Sequence, residues 1–164
     1  GKWATVLANA CSNSSTIRIT AAYSRLKETR DKFTANHNIP CVESAEKLLI
    51  DPSIKGIILT VPNELHLDYA KLCAQYGKHV YIEKPIANTL VDAIELRDVC
   101  RRYGVKVFVG HVAKLLSGVH LISQELKNGN LGELCIIEGQ FSNERALTLT
   151  PDNWLESSWS RPLS

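Results

Sequence analysis

Two polar clusters, each directly after an apolar run, hold the residues best suited to chemistry. The first is Thr60-Val61-Pro62-Asn63-x-x-His66, after Gly56-Ile57-Ile58-Leu59; the second is Glu83-Lys84-Pro85, after Val80-Tyr81-Ile82. A carboxylate and an ammonium directly after a buried run are poorly explained by packing. A partly desolvated lysine beside a carboxylate orients a substrate hydroxyl or tunes a neighbouring acid–base group; the plainer alternative is a loop ion pair. Asn63 is placed to cap a helix starting at Glu64. His66, one turn on, either points over the sheet edge to a ligand or is a surface residue. A third cluster, Gly110-His111-x-x-Lys114, follows the run Val105 to Val109.

Two further signals lie nearer the start. A dinucleotide-binding fold opens with a strand, a glycine-rich turn and a helix whose N-terminus stabilises the pyrophosphate. Gly1-x-x-Ala4 fits the last two fixed positions of that turn. About twenty residues later such domains carry an acidic residue for the ribose hydroxyls. This chain has Ser24-Arg25 there instead, with Lys27 nearby. A hydroxyl and a guanidinium fork suit a 2′-phosphate, or simply form a solvated helix start. In this setting His111 either meets the nicotinamide end of a cofactor or caps the next helix.

The elements that must position these residues alternate strand and helix. Thr5–Cys11 reads as a helix, Ile17–Tyr23 as a strand, Leu26–His37 as a charged helix and Ile39–Val42 as an extended piece. Ser44 is placed to cap a short helix through Ile50, which Asp51-Pro52 stops. Lys55–Val61, lacking alternation, predicts a strand buried on both faces. Leu65, Tyr69, Leu72, Cys73 and Tyr76 predict the buried stripe of the next helix, closed by Gly77. His79–Ile82 is a strand. Thr89-x-x-Asp92 resembles a capping box; Ala93, Leu96, Cys100 and Tyr103 form the inner stripe of its helix, and Gly104 ends it. After the strand Val105–Val109, one long helix runs to about Lys127. Glu133–Ser142 reads as a strand with one exposed face, and residues 143–164 show no period. Strand–helix alternation predicts an α/β fold with a parallel sheet, and ligands at the carboxyl ends of its strands.

Composition narrows the function classes. The chain has 164 residues, 45% hydrophobic and 22% charged, with net charge +2, which is typical of a globular protein and lacks the basic stripe of a nucleic-acid binder. No apolar run nears the ~20 residues of a membrane span, and no secretory signal is seen. Cys11, Cys41, Cys73, Cys100 and Cys135 are widely spaced, with no C-x-x-C. No metal site or disulfide framework is expected, and a reducing cytoplasm is the default. Cys73 and Cys100, within apolar stripes, are expected to be buried. The chain lacks methionine, so its first residue is not expected to be a retained initiator.

Taken together, Gly1-x-x-Ala4, Ser24-Arg25, Leu59 to His66 (LTVPNELH), Glu83 to Pro85 (EKP), Val109 to His111 (VGH) and Asn128 to Leu134 (NGNLGEL) resemble the glucose–fructose oxidoreductase / inositol dehydrogenase / MocA (Gfo/Idh/MocA) family. The likeness covers nearly the whole chain; EKP preceded by T-x-P-N-x-x-H is its specific part. It implies a Rossmann-type, doubly wound parallel sheet over residues 1–111. An α+β domain with an antiparallel sheet, for substrate and oligomerisation, would begin over 112–164. It implies NAD(P)-dependent hydride transfer to or from a sugar, polyol or related alcohol, and a homo-oligomer. By position, Gly1, Lys2, Trp3 and Ala4 would lie at the pyrophosphate, and Ser24 and Arg25 at the adenosine ribose, with NADP favoured over NAD. Thr60, Pro62, Asn63 and His66 would line the cofactor cleft. Glu83 and the catalytic Lys84 would lie by the nicotinamide ribose and substrate, with a cis Lys84–Pro85 bond. His111 would border the nicotinamide, and Lys114 the substrate.

The family's opening strand, first glycine and catalytic histidine in a D-x-x-x-H-like motif are not found here. The chain is therefore expected to be a piece, with a gap in its sheet and doubtful activity alone. Lys114-Leu115 also stands where Arg-Phe is common. The alternative is a non-catalytic nucleotide-binding or regulatory relative, since a fold does not fix a function.

Overall fold

A computed structural model describes residues 1–140 and 142. Helix α1 spans Lys2–Ser12, with Gly1 at its N-cap. Strand β1 (Ala22–Tyr23) leads into α2 (Lys27–His37), β2 (Cys41–Val42) and α3 (Ala45–Ile50). β1 and β2 pair in parallel, with Ala22 opposite Cys41, and the Ala22 N–H donates to the Pro40 carbonyl at 2.9 Å. The strand expected over Ile17–Tyr23 is thus confined to its last two residues, the ones with a ladder partner. Ser44 sits at the N-cap of α3, but its hydroxyl makes no capping bond.

The second half of the fold is built from β3 (Gly56–Leu59), α4 (His66–Gln75), β4 (His79–Ile82), α5 (Leu90–Arg102) and β5 (Val107–Val109). The strands form a parallel sheet in the order β3-β4-β5, with Leu59, Ile82 and Val109 level across it. α4 and α5 pack together, and α4 also lies on β3 and β4. Leu49, Leu59, Ala70, Cys73, Ala74, Val80, Ile82, Leu96, Cys100 and Val105 form the buried core. Alternation along β4 sends Val80 and Ile82 into that core and leaves Tyr81 and Glu83 for the opposite face. Cys73 and Cys100 are buried free thiols, as expected, and burial pushes the Cys73 thiol up to about 12.

Several expectations are corrected. β3 is an outer strand of its sheet, so Gly56 is exposed and Ile57 and Ile58 are only half-buried, not covered on both faces. The buried stripe of α4 is His66, Ala70, Cys73 and Ala74, with Leu65 and Tyr76 turned outward. In α5, Leu96 and Cys100 are buried as expected, while Tyr103 is exposed. Thr89 caps α5 as predicted, its Oγ1 accepting from the Asp92 N–H at 3.1 Å. Gly77 and Gly104 end α4 and α5 at φ +67° and +68°, the left-handed conformation glycine adopts without a Cβ clash.

The parallel strands form two sheets, β1-β2 and β3-β4-β5, in place of one continuous sheet. An interruption was expected from the sequence. Beyond β5, a 3-10 turn (Val112–Leu115) precedes α6 (Ser117–Lys127). The long helix expected there is broken by Leu116, whose ψ of 135° is extended. Residues 133–140 form no strand, because no described segment pairs with their backbone. The described residues therefore show no antiparallel sheet, and residues 143–164 lie outside them. Among the described residues no helix is long and apolar enough to cross a membrane, and no cluster of metal-ligating side chains occurs.

Candidate functional site

The parallel register places the loops after β3, β4 and β5 along one edge. The Glu83 N–H donates to the Leu59 carbonyl at 3.4 Å, and the Gly110 N–H to the Ile82 carbonyl at 2.9 Å. Thr60, Glu83 and Gly110 therefore begin neighbouring loops at the carboxyl ends of their strands. This is the edge where open parallel sheets hold ligands.

Glu83 and Lys84 part company here. Glu83 is buried, at 9% exposure, and its Oε1 accepts from the Tyr81 hydroxyl at 3.2 Å. Burial, and then the carboxylate of Glu83, hold the Tyr81 phenol above its ordinary value. Lys84 is exposed and, among the described residues, makes no ion pair or side-chain hydrogen bond. The expected partial desolvation of Lys84 is thus corrected, and the alternative of a loop ion pair is not found among the described residues. The acid is tucked under the edge and the base stands free above it. The Lys84–Pro85 bond is cis, as the resemblance implied.

Gly110 explains its own residue type. A Cβ there would stand 2.6 Å from the Tyr81 hydroxyl oxygen and 2.9 Å from Glu83 Oε1. Tyr81, Glu83 and Gly110 form one polar nest across β4 and β5. Sequence reasoning missed Tyr81, although its spacing of two from Glu83 puts both on one strand face.

His66 is neither surface nor open cleft. It has no exposed surface and lies on the first residue of α4. Its Nδ1 is 3.0 Å from the Pro85 carbonyl and 3.3 Å from that of Ile86, and its Nε2 is 3.2 Å from the Val61 carbonyl. One imidazole thus lies between carbonyls of the loops after β3 and β4, and its tautomer decides which of them receives an N–H. Asn63 does not cap a helix beginning at Glu64. It is buried within a 3-10 turn, Asn63–Leu65, whose N-cap is Pro62, and α4 starts only at His66. Thr60 is half-buried and Pro62 exposed. His111 and Lys114 are exposed, and the N-cap position of His111 involves no side-chain bond.

On the β1–β2 sheet, Ser24 is half-buried and Arg25 exposed, in the turn before α2. Arg30, also missed in the sequence, holds this turn. Its Nη1 donates to the Ser24 carbonyl at 2.8 Å and to the Arg25 carbonyl at 3.0 Å. The Arg25 guanidinium makes no ion pair among the described residues. At the start of α1, Gly1, Lys2 and Trp3 are exposed and Ala4 is half-buried. That first turn has no acidic residue and no side-chain cap, so its free N–H groups suit an anion.

The model of the oxidoreductase family with an NAD-binding Rossmann fold matches residues 1–111. Glucose-6-phosphate 3-dehydrogenase of Bacillus subtilis is 27% identical over 157 residues, covering 96% of this chain and 44% of that protein. The scyllo-inositol 2-dehydrogenase (NADP(+)) of the same organism is 27% identical over 122 residues, covering 74% and 33%. A crystal structure from Desulfitobacterium hafniense, of a protein assigned as an NADPH-dependent oxidoreductase, superposes with TM-score 0.92 at 34% identity. It covers 99% of this chain and 47% of that one. The chain thus spans less than half the length of each of these relatives. With the match over residues 1–111 and a parallel α/β fold, the chain belongs to the Gfo/Idh/MocA family of oxidoreductases with an NAD-binding Rossmann fold.

Proposed function

We propose that this protein transfers a hydride between NADP and a carbinol carbon of a sugar or polyol, with Lys84 acting on the reacting oxygen. The observation that carries the reading is the exposed Lys84 ammonium, free of any ion pair among the described residues, at the carboxyl end of β4. A loop lysine kept for stability alone would be expected to meet the adjacent carboxylate; here Tyr81 takes that carboxylate instead. The substrate class draws on relatives named for glucose 6-phosphate and scyllo-inositol.

The residues present fit a dinucleotide. The free N–H groups at the start of α1, with Gly1, Lys2, Trp3 and Ala4, would receive the pyrophosphate. Arg25, with its turn fixed by Arg30, would hold a 2′-phosphate together with Ser24. Thr60, Pro62, Asn63 and Glu83 would border the cleft, and His111 and Lys114 the substrate side. The nicotinamide supplies the carbon that accepts or gives the hydride. Lys84 would donate hydrogen bonds to the substrate oxygen and stabilise negative charge as it develops there. In this reading residues 1–111 serve the nucleotide, and 112–164 open a second domain for the substrate.

Lys84→Ala, made in the full-length protein, tests the role. Turnover should fall by a factor corresponding to ~2–4 kcal/mol of transition-state stabilisation, while the NADP Kd from fluorescence titration changes little. Near-normal turnover in a folded Lys84→Ala protein would reject it.

A further inference from the structure

We infer that His66 is the positioning residue for Lys84, which rests on the proposed role of that lysine. The ring is wholly buried, yet its hydrogen-bond partners are all backbone carbonyls of two site loops. A buried imidazole must place its N–H on an acceptor, and here each acceptor within reach belongs to a site loop. Nδ1 meets Pro85 and Ile86, the two residues directly after Lys84. Nε2 meets Val61, in the loop after β3. The base from which the ring reaches is rigid, because Ala70, Cys73 and Ala74 of the same helix lie in the core.

Lys84 has no side-chain partner of its own among the described residues. The region its ammonium can reach is therefore set by the backbone it leaves. Misplacing a catalytic group by ~1 Å costs on the order of 100-fold in rate, so a bond to the next residue's carbonyl is well placed to govern it. A neutral imidazole has a single N–H. When it lies on Nδ1 it donates to the Pro85 carbonyl, and this is the bond that fixes Lys84; on Nε2 it would hold only Val61.

Three variants of the full-length protein separate these bonds. His66→Asn keeps a donor near the place of Nδ1, His66→Gln near that of Nε2, and His66→Leu neither. NADP Kd, kcat and KM are measured for each beside Lys84→Ala, with scyllo-inositol, glucose and glucose 6-phosphate as probes. Hydrogen exchange is followed at the amides of Lys84, Ile86, Ala87 and Asn88. His66→Leu should lower kcat by about tenfold or more with little change in NADP Kd, and speed exchange at those amides. His66→Asn should restore both, and His66→Gln neither. Unchanged exchange in His66→Leu, or equal effects in the Asn and Leu variants, would overturn the inference. So would an unchanged kcat in His66→Leu where Lys84→Ala is impaired. If His66→Leu does not fold, the comparison of Asn with Gln decides the question. Normal turnover in Lys84→Ala, or no turnover in any form, rejects the proposed reaction instead, and the exchange data still decide whether His66 sets the loop.

Discussion

At the scale of single residues, the candidate site depends on which charges are used up inside the protein and which are left over. Arg25 and Arg30 lie five residues apart and are equally basic on paper. In the structure Arg30 donates to the carbonyls of Ser24 and Arg25, while Arg25 is exposed without an ion pair among the described residues. The division assigns one arginine to holding the turn and leaves the other exposed, where the proposed NADP would meet it. A charge-assisted bond to phosphate is worth about 1.5–3 kcal/mol. Arg25→Ala should therefore weaken NADP binding by roughly 10- to 150-fold, by that figure, and leave NAD binding nearly unchanged. Calorimetric titration of both cofactors checks this; equal losses for the two, or tighter NAD binding by the unaltered protein, would refute a 2′-phosphate role. The position of Arg25, in the turn after β1, was legible in the sequence, because spacing from the first helix predicts the end of that strand. The roles of Arg30, Tyr81 and the buried ring of His66 were not. Each depends on which face of an element turns inward, and a single polar residue carries no such sign.

At the scale of elements, the sequence was most informative where punctuation is strong. Gly77, Gly104 and the Thr89 cap mark helix ends correctly because their backbone chemistry is local. Strand length and helix phase depend on neighbours distant in sequence, and there the reading slipped. Ile17 to Ala21 is apolar enough for a strand but has no ladder partner. Leu65 and Tyr76 look like stripe residues, but the face that turns inward is that of His66, Ala70, Cys73 and Ala74, about a third of a turn away. Lys78 is a further case. It follows Gly77 at the strand start and would pass for a solvated residue, yet it is only 6% exposed. Its Nζ donates to the carbonyls of Asp51 at 2.6 Å and Ile54 at 2.8 Å, tying the α3–β3 turn to the start of β4. Lys78→Met keeps the stem and removes both bonds, leaving two half-buried carbonyls to find water. A loss of about 1–3 kcal/mol is expected, seen as a fall in Tm of about 2–4 °C per kcal/mol. An unchanged Tm would mean that water already serves those carbonyls.

At the scale of the whole molecule, the proposed cofactor would draw on residues of both sheets. The strands β3, β4 and β5 share the core, with Val80, Ile82, Leu96 and Cys100 almost wholly buried. β1 and β2 are each two residues long and only half-buried. Short, partly exposed pairs open by local fluctuation, while core strands exchange only through larger unfolding. The amides of β4 should therefore exchange slowest, and those of β1 and β2 much faster. Arg25 follows β1 and Lys84 follows β4, so a dinucleotide held at both ends would add its binding energy to the weaker pair. Free ligand at ~100 times its Kd stabilises the binding-competent form by about 2.7 kcal/mol. If opening of β1–β2 abolishes binding, its amide exchange should slow by up to roughly 100-fold with NADP. In Arg25→Ala at the same NADP concentration the slowing should shrink with the lost affinity. Hydrogen exchange read by mass spectrometry over residues 20–25 and 39–43 measures this. Equal exchange in β1 and β4 without ligand would refute the unequal stability. No slowing in β1–β2 at saturating NADP would place the cofactor away from Ser24 and Arg25, on the three-stranded sheet alone.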